Sequence, residues 1–207
     1  GRSLEGAFYN RSATLTFGKL ARTTPLSTAR SETMPVFVAY VKATLENVEA
    51  LSAKPASSVW TIDVKNGQSD EARERVTIDA DDEIEIEGSR GTANLVIKFP
   101  DAAEKAQCSI LSTETFVAKY KNKKKLVAEC PRAVTESDAW TPVLAFEARG
   151  LDVTALHLLG DNFAAKATSG KVYDAVDLSE GDWSEYDDDA DVPVSITDVQ
   201  VKVDVLR

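Results

Sequence analysis

The sequence predicts a mainly β protein of antiparallel sheets forming one domain, with few short helices. Three observations carry this. Apolar residues recur with a period of two along most of the chain after Met34. The apolar runs are crowded with β-branched and aromatic side chains, which suit a pleated, half-buried surface. Strand-like runs follow one another without long helical segments between them, which favours antiparallel connections.

The elements follow in order. Pro35-Val36-Phe37-Val38-Ala39-Tyr40-Val41 opens the core as a strand. In Val59-Trp60-Thr61-Ile62-Asp63-Val64, alternation sets Trp60, Ile62 and Val64 on one face. Ile84-Glu85-Ile86-Glu87 alternates up to Gly88, and Leu95-Val96-Ile97-Lys98-Phe99 alternates up to Pro100. Residues 115–120 and 143–148 read as further strands. Helical potential is confined to a turn or two in residues 101–107 and 153–159. The last stretch, residues 199–205, alternates most strongly, with four valines one way and polar groups the other; it reads as a half-buried antiparallel strand.

The chain of 207 residues is long enough to bury a sizeable core, and its 43% apolar and 28% charged residues describe a globular domain. No window of 18 uninterrupted apolar residues exists to form a membrane-spanning helix. A formal net charge of -10 repels a phosphate backbone and argues against general nucleic-acid binding. Two cysteines and one histidine leave little material for zinc sites, disulfide scaffolds or histidine-dependent catalysis. Residues 1–33 differ from the rest: Arg2, Arg11, Lys19, Arg22 and Arg30 face only Glu5 and Glu32, among many serines and threonines. That composition resembles an organelle transit peptide. The expected organisation is an N-terminal extension, 1–33, and a single β domain, 34–207. The location would be a mitochondrion or plastid if the extension is native, and the cytoplasm otherwise.

Four segments carry a family resemblance. They are Lys42-Ala43-Thr44-Leu45-Glu46-Asn47-Val48, Gly88-Ser89-Arg90-Gly91-Thr92-Ala93-Asn94, Phe146-Glu147-Ala148-Arg149-Gly150-Leu151 and Asp182-Trp183-Ser184-Glu185-Tyr186-Asp187. In this order and spacing the chain resembles the eukaryotic CXXC-motif-containing zinc-binding proteins, from about residue 41 to residue 203. The resemblance implies a compact β protein of two similar antiparallel halves. It also implies two C-x-x-C pairs flanking the Gly-Ser-Arg-Gly turn, whose four thiolates would close a structural tetrahedral zinc site.

At the positions where that resemblance places the ligands, this chain has Lys65 and Gln68 for the first pair, and Phe99 and Ala102 for the second. None can act as a thiolate, and a lysine ammonium repels a dication. The expectation is a degenerate site with no metal and no cofactor. Asn66-Gly67 would close the first hairpin as a type I′ turn, and Pro100 would fix the second turn. Phe99 would replace a ligand with buried apolar surface worth roughly 2–3 kcal/mol. The alternative is a metal-binding protein using other ligands, drawn from Cys108, Cys130, His157 and a carboxylate.

The remaining motifs are weaker. Gly88-Ser89-Arg90-Gly91 could be read as a phosphate-cradling or RNA-binding loop, but it lies between strands and reads better as a tight turn with left-handed glycines, Arg90 at its tip. Thr168-Ser169-Gly170-Lys171 lacks the order of a phosphate-binding P-loop. No serine or cysteine stands in a nucleophile motif that His157 could serve, so no catalytic residue is assigned. The acidic run from Glu180 to Asp191 lacks calcium-loop spacing and reads as a solvated loop, within which Trp183 and Tyr186 either anchor to the core or contact a partner. The lysines of residues 119–125 read as a hairpin loop. The function expected from the sequence is non-enzymatic: a protein-interaction or scaffold module, as in an accessory subunit of an organelle complex, with Arg90, Trp183 and Tyr186 as interaction residues.

Overall fold

The first apolar run grows into a strand, β1, Val36–Glu46, whose inner residues are almost all buried. In this computed structural model residues 34–55, 58–100 and 102–206 are described, so the basic extension 1–33 and the role expected of it lie outside the described residues. After β1 come β2 (Val48–Ala53), β3 (Val59–Asn66), β4 (Ala72–Asp79), the small hairpin β5 (Ile84–Glu85) and β6 (Thr92–Ala93), β7 (Leu95–Ile97) and β8 (Ala106–Leu111). Two short helices follow, α1 (Thr113–Tyr120) and α2 (Lys124–Ala128). The chain then forms β9 (Thr141–Arg149), β10 (Leu151–His157), β11 (Phe163–Ala167), β12 (Val172–Val176), β13 (Trp183–Asp187) and β14 (Val192–Leu206).

The strand order discloses the expected two halves. The large sheet runs β13-β14-β1-β9-β8-β7, and the smaller sheets run β10-β3-β4 and β12-β11-β2. Exchanging β1 with β9, β2 with β10, β3 with β11, β4 with β12, β7 with β13 and β8 with β14 returns the same arrangement. The pseudo-two-fold axis passes between β1 and β9. Each half lends a strand to the other: β2 pairs with β11, and β10 pairs with β3, both antiparallel.

The exchange is made by two one-residue corners. Asn47, with φ 56°, turns β1 into β2, and Gly150, with φ 77°, turns β9 into β10. Left-handed backbone is accessible to asparagine and glycine at little cost, which is why these types stand here. Each corner carbonyl accepts a hydrogen bond from a turn of the opposite half: Thr168 N donates to Asn47 O at 2.9 Å, and Gly67 N donates to Gly150 O at 3.2 Å. The Asn47 side chain adds a 2.7 Å bond to Pro193 O. Behind the corners lies one apolar cluster, in which Trp60 of β3 meets Phe163 of the symmetry-related strand β11 edge to face, ring centres 5.7 Å apart.

Several local expectations are corrected. Residues 115–120 are helical, as α1, not a strand. Ser112 caps the helix by accepting from Thr115 N at 3.2 Å, and Phe116 and Tyr120, four apart, bury one face against Val36, Val38 and Tyr40. The lysines of 119–125 therefore belong to the end of α1, the following turn and the start of α2, not to a β-hairpin. Residues 153–157 lie in β10, and the chain from 106 is β8, so neither expected helical turn forms there. The acidic run is not a plain loop: β13 pairs with the start of β14.

Gly150→Ala is expected to cost about 1–2 kcal/mol for the left-handed backbone alone, and more in total because the new methyl would press on Ala106, 3.3 Å away. Asn47→Gly keeps the backbone and loses only the bond to Pro193. Denaturant unfolding of the two variants checks this; equal losses would contradict the role of the corners.

Candidate functional site

The site implied by the resemblance is built from two turns of the first half. The first joins β3 to β4. Asn66 is buried, its N–H donates to Glu71 O at 2.8 Å, and its side-chain oxygen accepts from Gln68 N at 3.0 Å. This is an Asx-supported loop of several residues, not the two-residue type I′ turn expected; Gly67 is not in a left-handed conformation. Lys65 points outward to Asp70, 2.6 Å away, and Gln68 is exposed. The second turn joins β7 to β8. It closes with Ala102 N donating to Phe99 O at 3.2 Å, and Pro100 sits within it as expected. The Lys98 ammonium donates to the carbonyls of Ala102 and Ala103.

Between the turns stands Arg73 of β4. Its guanidinium donates to Lys98 O at 2.8 Å and lies 5.2 Å from the Phe99 ring centre. Phe99 itself has no exposed surface. A cation over this ring is worth about 0.5–1 kcal/mol at an exposed site, and burial of the ring contributes roughly 2–3 kcal/mol. The donor set does not fit zinc: an aromatic ring, a methyl group, an exposed amide and two cations occupy or border the four positions. Nor are the alternative ligands gathered. Cys108 is buried in β8, and burial pushes its thiol up to about 12. Cys130 follows α2, and burial raises its thiol as well. His157 bonds to Asp63 at 2.8 Å in a separate sheet. Among the described residues no three His, Cys, Asp or Glu side chains form a metal-holding group.

The second half shows what the same position does with polar residues. The corners set the correspondence: Gly67 matches Thr168, so Gln68 matches Ser169. Opposite β8 and β14, Leu95 pairs with Cys108 and Trp183 with Ile196, so Leu95 matches Trp183 and Phe99 matches Asp187. Ser169 Oγ donates directly to Asp187 Oδ2. Asp187 has no exposed surface, also accepts from Asp189 N at 3.1 Å and Ala190 N at 3.4 Å, and has the Lys171 ammonium 3.9 Å away. The Ser169 hydroxyl, the two N–H groups and Lys171 together hold its carboxyl below the usual carboxylate range against the opposing effect of burial. Asp187 is thus a buried structural acid and not part of a solvated acidic loop.

The interaction residues separate. Trp183 is half-buried, packs on the core and meets Tyr173 edge to face at 5.2 Å, so it is an anchor. Tyr186 is 48% exposed, its hydroxyl bonded to Asp191 at 2.6 Å. Arg90 stands exposed on the β5–β6 turn, which closes with Ser89 N donating to Ile86 O at 3.0 Å and, of its two glycines, only Gly88 left-handed. Beside that turn lies an open cavity of about 680 Å³ bordered by Glu87, Lys98, Glu104, Lys105 and Arg149. Its charges pair with one another, Lys105 with Glu87 at 3.1 Å and Arg149 with Glu104 at 3.9 Å. Sequence reasoning missed Arg73, Ser169 and Asp187. No motif marks Arg73, and the Ser169–Asp187 contact is visible only through the internal symmetry.

Comparison with known proteins agrees with this architecture. Residues 38–204 match the model of the eukaryotic CXXC motif containing zinc binding protein family. The chain belongs to that family. The mouse CXXC motif containing zinc binding protein is 30% identical over 160 residues, covering 77% of this chain and 91% of its own. The human protein of the same description is 26% identical over the same span. A solved structure described as a hypothetical protein from Plasmodium falciparum superposes with a TM-score of 0.69 at 25% identity, covering 83% of this chain and 100% of the other.

Because the folded-state pKa of Asp187 is depressed, its contribution is complete above the ordinary carboxylate range near pH 4 and is lost as pH falls through the lower, folded value. Asp187→Asn is expected to lower the urea midpoint at neutral pH, with the gap to the parent protein closing below pH 4. A gap that stays constant down to pH 2 would contradict the assignment.

Proposed function

We propose that this chain is a non-enzymatic protein-interaction module in which the family's metal position has been taken over by internal packing. The observation that carries this reading is Phe99 sealed in the core beneath the Arg73 guanidinium at the expected ligand position. A fold that no longer needs an ion at its turns is free to vary its surface. Two exposed groups stand ready as contacts, Arg90 on the β5–β6 turn and Tyr186 on β13, a residue pair of the types that dominate protein interfaces. The strongly shifted groups support this reading too. Tyr40 and Tyr120 are raised first by burial, then by hydrogen bonds to Glu129 and Glu147, and these bonds tie the helices to the sheet. No helix among the described residues is long and apolar enough to cross a membrane. The net charge of -10 disfavours nucleic acid as the partner, and a protein partner is the reading we favour. If the basic segment 1–33 is native, an organelle is the proposed location, and an accessory-subunit role in a larger assembly there is the form of the module we favour.

The reading is tested by purifying the tagged chain from its native cells and weighing the intact assembly by native mass spectrometry. The expected result is a stoichiometric complex with at least one different chain, weakened at least tenfold by the combined change Arg90→Glu and Tyr186→Ala. Recovery of this chain free of any other, or a complex indifferent to both substitutions, would contradict it.

A further inference from the structure

We propose that the open edge of β14 is a self-recognition surface, through which two copies of this chain pair strand against identical strand about a two-fold axis at Val203. The direction of the backbone groups decides which residues are available. Ala148 N donates to Pro35 O at 3.2 Å, so the odd-numbered residues at the start of β1 bond to β9. The even-numbered ones, Val36, Val38, Tyr40 and Lys42, therefore bond to Leu206, Asp204, Lys202 and Gln200. The N–H and C=O groups of Val201, Val203 and Val205 consequently point away from β1. On that side β13 pairs only with Val192 to Ile196, and Gly181 O takes the N–H of Val199 at 3.1 Å. Beyond Val199 the edge has no strand partner among the described residues. A long strand with a bare edge and apolar side chains is a template for another strand. Val201 and Val203 are only half-buried, Val205 is 40% exposed, and a shallow groove between Val203, Val205, Phe37 and Val153 runs beneath the edge.

The occupant follows from charge. The outward side chains along this edge are Gln200, Lys202 and Asp204. Within one chain Lys202 bonds to Asp204 at 2.7 Å and its ammonium lies 4.8 Å from the Tyr40 ring centre, so pairing of two copies exchanges this exposed ion pair for one across the axis. With the axis at Val203, Val203 meets the partner's Val203, and Val201 meets the partner's Val205, as hydrogen-bonded pairs. Lys202 then lies opposite the partner's Asp204 at the closer, non-hydrogen-bonded spacing, and the pair occurs twice. Moving the axis one residue either way sets Lys202 against the partner's Lys202, or Asp204 against the partner's Asp204. The edge is thus self-complementary in one register, and that register uses Gln200 to Leu206 and stops before β13. Pairing consumes the edge on both copies, so the assembly closes as a dimer and does not propagate. The inference is independent of the partner-binding reading, which concerns the β5–β6 turn and β13.

The test is the mass of the full chain in solution by light scattering during size exclusion. The expected mass is twice 22.4 kDa, halving on serial dilution. Val203→Pro removes an N–H that β1 does not use and is compatible with an edge strand, so it should leave far-ultraviolet circular dichroism unchanged and give a monomer. Lys202→Asp should also give a monomer, and adding Asp204→Lys to it should restore the dimer. A parent chain that is monomeric at every concentration would overturn the proposal. So would a dimer that survives both single substitutions, or a double variant that stays monomeric.

Discussion

Everything in this fold depends on two backbone corners, Asn47 and Gly150, at which the chain leaves the six-stranded sheet and crosses into the other half. Each corner does two things with one residue. Its left-handed conformation redirects the strand, and its carbonyl fixes a turn belonging to the opposite half, Thr168 in one case and Gly67 in the other. The halves therefore cannot fold as separate modules. β3 has its neighbour β10 only if β9 has turned at Gly150, and β11 has β2 only if β1 has turned at Asn47. The apolar core follows from this exchange, since Trp60 and Phe163 meet only when both small sheets are complete.

The corners also explain why something must hold the turns. They bring the β3–β4 turn towards the β7–β8 turn, and the β11–β12 turn towards the β13–β14 turn. In the first half the gap is closed by an arginine that lies over a buried ring and donates to Lys98 O, while the Lys98 ammonium braces the β7–β8 turn from within. In the second it is closed by a hydroxyl-to-carboxylate bond with backbone N–H support. Two chemically different solutions at symmetry-related places show that the constraint lies in the fold and not in any one ligand set.

Much of the β architecture was legible because alternation survives wherever one face of a strand is buried, as in residues 59–64 and 199–205. The two-fold plan was legible only through the family resemblance, since the two halves share topology but no visible repeat. The α1 segment was misread because Thr115, Val117 and the aromatics favour a strand locally; the cap at Ser112 and the packing of Phe116 and Tyr120 decide for a helix. Asp187 was misread for a related reason. Its acidic neighbours suggest solvent, whereas pairing of β13 with β14 turns this one side chain inward. At the candidate site the four replaced positions could be counted from the sequence, but Arg73 could not, because its role depends on a register shift between β3 and β4 that no local pattern announces.

The account rests on protein groups, not an ion, holding the first-half turns together. The most direct measurement is the thermal midpoint of the purified chain, followed with excess zinc and with a strong chelator, alongside the intact mass under native conditions. The same midpoint in both conditions, with a mass equal to that of the polypeptide alone, is the predicted result. A midpoint that collapses with the chelator, together with one bound zinc per chain, would contradict it.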